Sequence, residues 1–149
     1  VAAGIMKIKG KKYGFDTETY QMLYGFVKIN GNYYYFDEET GVMLKGWQKI
    51  NGKWYYLNAN GVMQTYWYLE NGKYYFLGAN GSVRTGWQNI WGKYYHFDSD
   101  GVMQTGWQKI NGKWYYFGGE QDGSMKSNVW VGDYYLDNSG VWSKTKKSK

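Results

Sequence analysis

The sequence predicts an all-β fold, a solenoid of stacked β-hairpins with about 20 residues per repeat and essentially no helix. The first observation is a period, because Trp47, Trp67, Trp87 and Trp107 are each 20 residues apart. A fixed period of this length is typical of repeat architectures. The second is an Asn-Gly turn signal that recurs with the period, and the third is the aromatic and β-branched composition of its flanks, which strands favour.

The repeats are predicted to form a single array, since no linker separates one unit from the next. Phe26 lies 21 residues before Trp47, and Ile5 lies 21 residues before Phe26. The predicted units are a degenerate first repeat at 1–24, full repeats at 25–45, 46–65, 66–85, 86–105 and 106–127, and a shortened last repeat with a basic tail at 128–149. Degenerate ends are expected of the capping repeats of a solenoid.

Each full unit contains the turn of a β-hairpin. A type I′ turn needs positive φ at both central residues, which Asn-Gly supplies. These turns are predicted at Asn30-Gly31, Asn51-Gly52, Asn71-Gly72 and Asn111-Gly112, with Trp91-Gly92 in the same place in the remaining unit. A second Gly marks the loop that leads to the next hairpin, at Gly41, Gly61, Gly81, Gly101, Gly123 and Gly140.

The turn fixes the strand register, and the register fixes the two faces of each hairpin. With Asn51-Gly52 as the turn, Lys49 is expected opposite Trp54, and Trp47 opposite Tyr56. Trp47 and Trp54 then share a face as diagonal neighbours, within reach of two large rings. The same counting pairs Trp67 with Tyr74, Trp87 with Tyr94, Trp107 with Trp114, and Phe26 with Tyr33, and places Ile50, Tyr55 and Leu57 on the opposite face of their hairpin.

The composition excludes several classes of site. The chain has no Cys, which excludes a disulfide framework, a thiolate nucleophile and a zinc-thiolate site. A single His excludes a multi-His metal site. No apolar run approaches the ~18–20 residues of a membrane span. The net charge of +6 is spread singly along the chain and in the tail without a basic block, so no nucleic-acid partner is expected. No metal or cofactor is expected either.

Isolated polar residues receive structural interpretations. His96 occupies the slot that Tyr56 and Tyr116 hold in sister units, which indicates a packing aromatic. The segment 98–101, Asp-Ser-Asp-Gly, lacks the spacing and final Glu of a calcium loop.

Met43, Met63 and Met103 are expected to fill gaps in the interior. The chain does not begin with Met and starts without an apolar leader, so we expect a fragment of a longer protein.

The aromatic ladder has three interpretations that periodicity alone leaves open. The chain has 18 Tyr, 9 Trp and 6 Phe but few aliphatic residues, which favours an interior built largely of rings. Alternatively, rings that stay open between hairpins form cages for a quaternary ammonium group, or platforms for sugars. Lys28, Lys49 and Lys109 are predicted on the same face as the paired rings, where an ammonium group opposes a cation site.

The units GWQKINGKWYYLNANGVMQT from Gly46 and GWQKINGKWYYFGGEQDGSMKS from Gly106 resemble the choline-binding, or cell-wall-binding, repeats of Gram-positive surface proteins. Glucan-binding repeats and the repeats of clostridial toxins are similar. The resemblance implies a left-handed superhelix of hairpins, with ligand sites between consecutive repeats. Each implied site takes the Gly-Trp ring, the first aromatic of the Trp-Tyr-Tyr triplet and a Tyr from the following repeat, often with a Met nearby.

These implied choline sites are five aromatic triads. They are Trp47, Trp54 and Tyr75; Trp67, Tyr74 and Tyr95; Trp87, Tyr94 and Tyr115; Trp107, Trp114 and Tyr135; and Phe26, Tyr33 and Tyr55. The Phe26 triad departs from the pattern at its Trp position, and Tyr66 replaces the Gly that precedes Trp in the sister units.

The resemblance implies a non-catalytic module that binds choline on teichoic or lipoteichoic acid and attaches a larger surface protein to the bacterial envelope. Its expected location is extracellular, at the cell wall. A homodimer through the end repeats is compatible with the family. The alternatives are a module that binds α-glucan or a host glycan, and a structural spacer whose rings are all buried.

Overall fold

The computed structural model describes residues 3–119 and 121–146, so Lys147 and Lys149 of the predicted tail lie outside the described residues. None of the described residues is helical, and they therefore include no helix that could cross a membrane. The strands within them are β1 (Ala3–Ile8), β2 (Lys11–Asp16), β3 (Met22–Leu23), β4 (Gly25–Ile29), β5 (Asn32–Phe36), β6 (Gly46–Ile50), β7 (Lys53–Leu57), β8 (Tyr66–Glu70), β9 (Lys73–Leu77), β10 (Gly86–Ile90), β11 (Lys93–Phe97), β12 (Gly106–Ile110), β13 (Lys113–Phe117), β14 (Val129–Val131), β15 (Tyr134–Leu136) and β16 (Trp142–Thr145).

The chain divides into two compact units. The first comprises Val1–Tyr68 with Leu77–Val83, and the second comprises Leu69–Phe76 with Arg84–Lys149. The first contains the antiparallel sheets β1-β2-β3, β4-β5 and β6-β7, and the second contains β10-β11, β12-β13 and β14-β15-β16. The all-β architecture of stacked hairpins is thereby confirmed, whereas the repeat boundaries, the single array and the handedness of the superhelix stay predictions.

The predicted two-residue turns are confirmed by their backbone angles. Asn51 has a φ of 52° and Gly52 a φ of 81°, and the other Asn-Gly turns repeat these values closely. Trp91 adopts a φ of 49° in the same place, although the left-handed region is sterically unfavourable for a Trp. The register that these turns impose is also as predicted, with Trp47 opposite Tyr56 and Lys49 opposite Trp54.

A return segment after each hairpin holds consecutive repeats together. Met63, for example, bridges to Leu57 of its own hairpin. Its backbone N–H donates to the carbonyl of Tyr33 in the preceding hairpin, at 2.8 Å. The same backbone bond recurs from Met43 to Lys12, from Val83 to Trp54, from Met103 to Tyr74 and from Met125 to Tyr94, at 2.7–2.8 Å. Each of these five hydrogen bonds therefore joins a repeat to the one before it, between residues of the same unit.

The methionines of the return segments fill gaps, as predicted. Met43 is buried, and its thioether lies 2.6 Å from the position that a Cβ on Gly61 would occupy. That distance leaves no room for a side chain on Gly61. Met103 lies against Gly123 in the same way. The loop glycine is thus required twice, once for its positive φ and once for the space that the methionine occupies.

The deepest row of the interior contains aliphatic residues as well as the expected aromatic ones. The last residue of the second hairpin strand is at most 1% exposed in every repeat from the second onward, and it is Phe or Leu: Phe36, Leu57, Leu77, Phe97, Phe117 and Leu136. Ile29 packs with Phe36 and Ile50 with Leu57, and Ile90 is also buried. One aliphatic or Phe position per repeat is sufficient because each repeat buries its residue against a neighbour.

Replacement of Tyr66 by Gly is expected to stabilise the protein by about 1 kcal/mol, since a non-Gly residue in the left-handed region is strained. Tyr66 has a φ of 64°, whereas the equivalent Gly86 has a φ of 71°. The measurement is urea unfolding of Tyr66→Gly beside the reciprocal Gly86→Tyr, which we expect to lose stability by a similar amount. A Cβ on Gly86 would meet no atom within 4 Å, so the Cβ itself adds no clash to the backbone strain.

Stability is expected to fall in acid through Asp122, whose carboxylate pairs with the Lys126 ammonium and accepts a hydrogen bond from the Ser124 hydroxyl. These partners lower the pKa of Asp122 from 3.8 to about 2. A depressed folded-state pKa stabilises the fold above the unfolded value, and this contribution is lost as the pH falls from 3.8 towards about 2. At pH 6 the free energy of unfolding of the wild type should exceed that of Asp122→Asn, and the difference should shrink towards pH 2. A difference that stays constant with pH would contradict the assignment to Asp122.

Candidate ligand-binding cages

The rings on the Trp-bearing face of the hairpins are partly open to solvent. Tyr94 is 49% exposed and Trp54 is 47% exposed, whereas the core residue Phe97 is 1% exposed. Exposed apolar groups in clusters of this kind mark interaction surfaces more often than single exposed residues do. The aromatic ladder therefore divides into a buried part and a part that a ligand can reach.

One predicted triad lines a cleft in the second unit. Trp87, Tyr94 and Tyr115, together with Met125, form what we call the interior cage, with a volume of about 360 Å³. Asn138 and Ser139 also line the cleft. Strands β10 and β11 supply the first two rings, β13 supplies Tyr115, and the following return segment supplies Met125.

The walls of the interior cage meet at steep angles. The rings of Trp87 and Tyr115 are 4.8 Å apart between centroids and are inclined at 69°. Steeply inclined rings present two π faces to one volume, and each face attracts a cation through its quadrupole. A group whose positive charge is spread over apolar methyl groups fits such walls, because it gains both the charge attraction and the apolar contact.

A second cleft, the C-terminal cage, is lined by Trp107, Trp114, Tyr134 and Trp142 and has a volume of about 290 Å³. The centroids of Trp107 and Tyr134 are 5.5 Å apart at 80°, and those of Tyr134 and Trp142 are 5.6 Å apart at 89°. All four walls are aromatic. Two of its residues, Trp107 and Trp114, belong to the predicted fourth triad.

The third ring of that triad is Tyr134 and not the predicted Tyr135. From Leu57 to Phe117 the core residues recur every 20 residues, but Leu136 follows Phe117 by only 19. A fixed period therefore overshoots by one position, which in a strand reverses the face. Tyr135 instead packs against Trp130, with centroids 5.1 Å apart.

The fourth wall, Trp142, was not predicted, although the sequence contains a signal for it. Trp142 follows the loop residue Gly140 by two positions, as Met63 follows Gly61 and Met125 follows Gly123. Alignment on the loop glycine would have placed Trp142 where the sister repeats have a methionine.

Two rings of the Phe26 triad are in contact, and its third ring has a lysine beside it. The rings of Phe26 and Tyr55 are 5.0 Å apart between centroids. The third member, Tyr33, has the Lys28 ammonium 5.8 Å from its ring centroid, so a cation already lies on that side. The predicted opposition between a lysine and a cation site applies to this triad.

The two remaining triads stay predictions. Trp47 and Trp54 belong to the first unit and Tyr75 to the second, while Trp67 belongs to the first and Tyr74 and Tyr95 to the second. Burial raises the pKa of the hydroxyl groups of Tyr75 and Tyr95.

The polar candidates are structural. The His96 ring lies 5.1 Å from that of Trp87, as Tyr56 lies 5.0 Å from Trp47, and its Nδ1 pairs with the side chain of Gln104. Its interpretation as a packing aromatic is confirmed. The carboxylate of Asp98 accepts backbone N–H groups of its own loop. Residues 3–119 and 121–146 contain no cluster of three or more His, Cys, Asp or Glu that could hold a metal ion.

Residues 44–83 and 84–130, more than half of the chain, match the family model described as a choline-binding repeat. The chain belongs to the choline-binding repeat family. Residues 25–43 match a second model, described as a putative cell wall binding repeat. A choline-binding repeat is a binding module, and the partly open aromatic clusters described above are compatible with that role. A comparison with curated proteins returned no match.

Solved structures of choline-binding proteins are similar to this chain. CbpJ from Streptococcus pneumoniae TIGR4 is 34% identical, with a TM-score of 0.88 over 94% of this chain and 52% of that one. Choline binding protein F from Streptococcus pneumoniae, in the presence of a peptidoglycan analogue, is 36% identical, with a TM-score of 0.88 over 97% and 47%. CbpF in complex with ipratropium is 32% identical, with a TM-score of 0.85 over 96% and 48%. The chain thus spans about half the length of these proteins.

Proposed function

We propose that this chain is a non-catalytic anchoring module that binds the choline residues of teichoic and lipoteichoic acids through aromatic cages between its repeats. It would attach a larger surface protein to the bacterial envelope, outside the cell. The observation that carries the proposal is that two successive repeats of a choline-binding repeat chain each form a partly open cleft with rings at equivalent positions.

The chemistry of choline suits these clefts. Its trimethylammonium group carries a positive charge that cannot donate a hydrogen bond, so ring faces and apolar contact are its natural partners. The comparison with CbpF supports this, because ipratropium is also a quaternary ammonium compound. The net charge of +6 favours a polymer that carries phosphates beside its choline.

The expected affinity explains why repeats are useful. Each cation–π contact contributes about 0.5–2 kcal/mol, and association costs several kcal/mol, so a single cage should bind in roughly the millimolar range. Several cages on one chain can engage a polymer that displays choline at many points. Avidity then strengthens attachment by about 10²- to 10⁴-fold without any new contact.

The residues proposed to bind choline are those of the interior cage and the C-terminal cage, with the remaining triads as further sites. The Phe26 triad should be the weakest, because Phe is a poorer cation–π partner than Trp and the ammonium of Lys28 lies over Tyr33.

Tyr94→Leu is expected to reduce retention on choline-bearing teichoic acid at least threefold, because Leu keeps apolar volume but removes a π face of the interior cage. The matched control is Trp91→Leu in the same hairpin. Trp91 is 75% exposed and lies at the turn, outside the residues that line either cage.

Binding should be measured on immobilised teichoic acid with and without its choline. Equal retention on the two polymers, or equal loss in the two variants, would contradict the proposal. Retention on α-glucan that free choline does not displace would instead establish a carbohydrate-binding module.

A further inference from the structure

The two cages are built from equivalent positions and differ in two walls: Trp114 takes the place of Tyr94, and the wall supplied by the return segment also changes. In the interior cage that wall is Met125, which bridges to Phe117, the core residue of its repeat. In the C-terminal cage it is Trp142, which pairs with Leu136, the core residue of the last repeat. The C-terminal cage thus has an indole ring, the aromatic ring that attracts cations most strongly, where the interior cage has a flexible thioether.

Trp142 pairs with the core residue of its repeat as the methionines of the sister repeats do, and a β-bulge after it turns Lys144 away from the cage. Strand β16 pairs Lys144 with Tyr135 and Trp142 with Leu136, so its register shifts by one residue between the two pairs. Residues 142 and 144 would share a face of a regular strand, but the bulge places them on opposite faces. The Lys144 ammonium consequently lies 5.1 Å from the ring centroid of Tyr135, on the side away from the cage.

Hydrogen bonds hold the Trp142 ring in its orientation. Its Nε1–H donates to the carbonyl of Lys144 at 3.0 Å and to the hydroxyl of Thr145 at 3.2 Å. The ring is nonetheless 39% exposed, so part of it remains available. A wall that is already oriented loses little conformational entropy when a ligand binds, which strengthens binding.

We propose that Trp142 makes the C-terminal cage the tightest quaternary ammonium site in this chain and the first to fill. The inference rests on the proposed function and deepens it. Four aromatic walls in about 290 Å³ surround a trimethylammonium group more closely than three rings and a methionine in about 360 Å³. The lysine of the same strand, which would repel the ligand, is turned away by the bulge.

The test exchanges the wall that the return segment supplies and leaves Tyr94 and Trp114 unchanged. Trp142→Met gives the C-terminal cage the residue of its sister repeats, and Met125→Trp gives the interior cage the fourth ring. Choline binding to each intact chain is followed by calorimetry and by the NMR signals of the Trp indole groups, which separate the sites. Trp142→Phe, which keeps a π face, is the conservative control.

Trp142→Met is expected to weaken the first-filled site about 3- to 10-fold, with Trp142→Phe within about threefold of wild type. Met125→Trp is expected to strengthen the interior cage by a similar factor. Unchanged dissociation constants in Trp142→Met, or a first-filled site that responds to Tyr94→Leu instead, would overturn the inference. A wild-type chain that binds no choline would refute the proposed function. A chain whose sites fill equally would refute only the present inference. A melting temperature close to that of the wild type verifies that each variant is folded.

Discussion

Phe97→Ala is expected to lower the free energy of unfolding by about 3–5 kcal/mol, the usual loss when a buried Phe is truncated. Phe97 ends β11, is 1% exposed and bridges to Met103 of its own return segment. Its removal would leave a cavity in the row that every repeat uses to bury itself against a neighbour. Urea unfolding of the whole chain measures the loss.

The matched control for this truncation is Phe97→Leu. Leu57 and Leu77 occupy the equivalent position and are both fully buried, so the repeat accepts either side chain. We expect Phe97→Leu to lose less than half as much as Phe97→Ala. A loss below about 1 kcal/mol in Phe97→Ala would mean that the row is not the stabilising core.

Gly14→Ala is expected to destabilise the protein by about 1–3 kcal/mol through overpacking. An added Cβ would stand 2.7 Å from Cζ and 2.8 Å from Cε2 of Phe36, a ring that is 0% exposed and has no open space into which to move. The φ of Gly14 is outside the left-handed region, so the loss would report contact alone. The measurement is again urea unfolding.

Gly4→Ala provides the comparison in the adjacent strand β1. Its added Cβ would meet Thr17 at 3.4 Å, an ordinary contact, and Gly4 likewise lies outside the left-handed region. Because Ala restricts the unfolded chain more than Gly does, this variant should be neutral or gain up to about 1 kcal/mol. Equal losses in Gly4→Ala and Gly14→Ala would show that Phe36 does not require the space.

Local features of the hairpins were accurately predicted from the sequence because turn chemistry determines them. Asn-Gly requires a backbone geometry that few other dipeptides adopt, and once the turn is placed, the period-two alternation of a strand assigns every side chain to a face. The pairing of Trp47 with Tyr56 and the shared face of Trp87 and Tyr94 follow from that counting, whereas Tyr115 as the third ring was implied by the family resemblance.

Features that depend on distance between repeats were predicted less well. Leu57 is more deeply buried than most of the tyrosines, although tyrosines are more numerous. Its burial depends on how one repeat covers the next, and composition does not predict that. Tyr135 was misassigned because a fixed period cannot register the loss of one residue before Leu136. Trp142 was missed because the repeats were aligned on their Trp period and not on the loop glycine, which places Trp142 at the methionine position of the sister repeats.

The most direct test of the account is a titration of the chain with choline, in parallel with glucose oligomers, followed by Trp fluorescence and thermal melting. A ligand that binds the folded state must raise the melting temperature by mass action. We predict a saturable response at roughly millimolar choline, with a rise in melting temperature and no response to the sugars. A response to the sugars alone, or to neither ligand, would contradict the account.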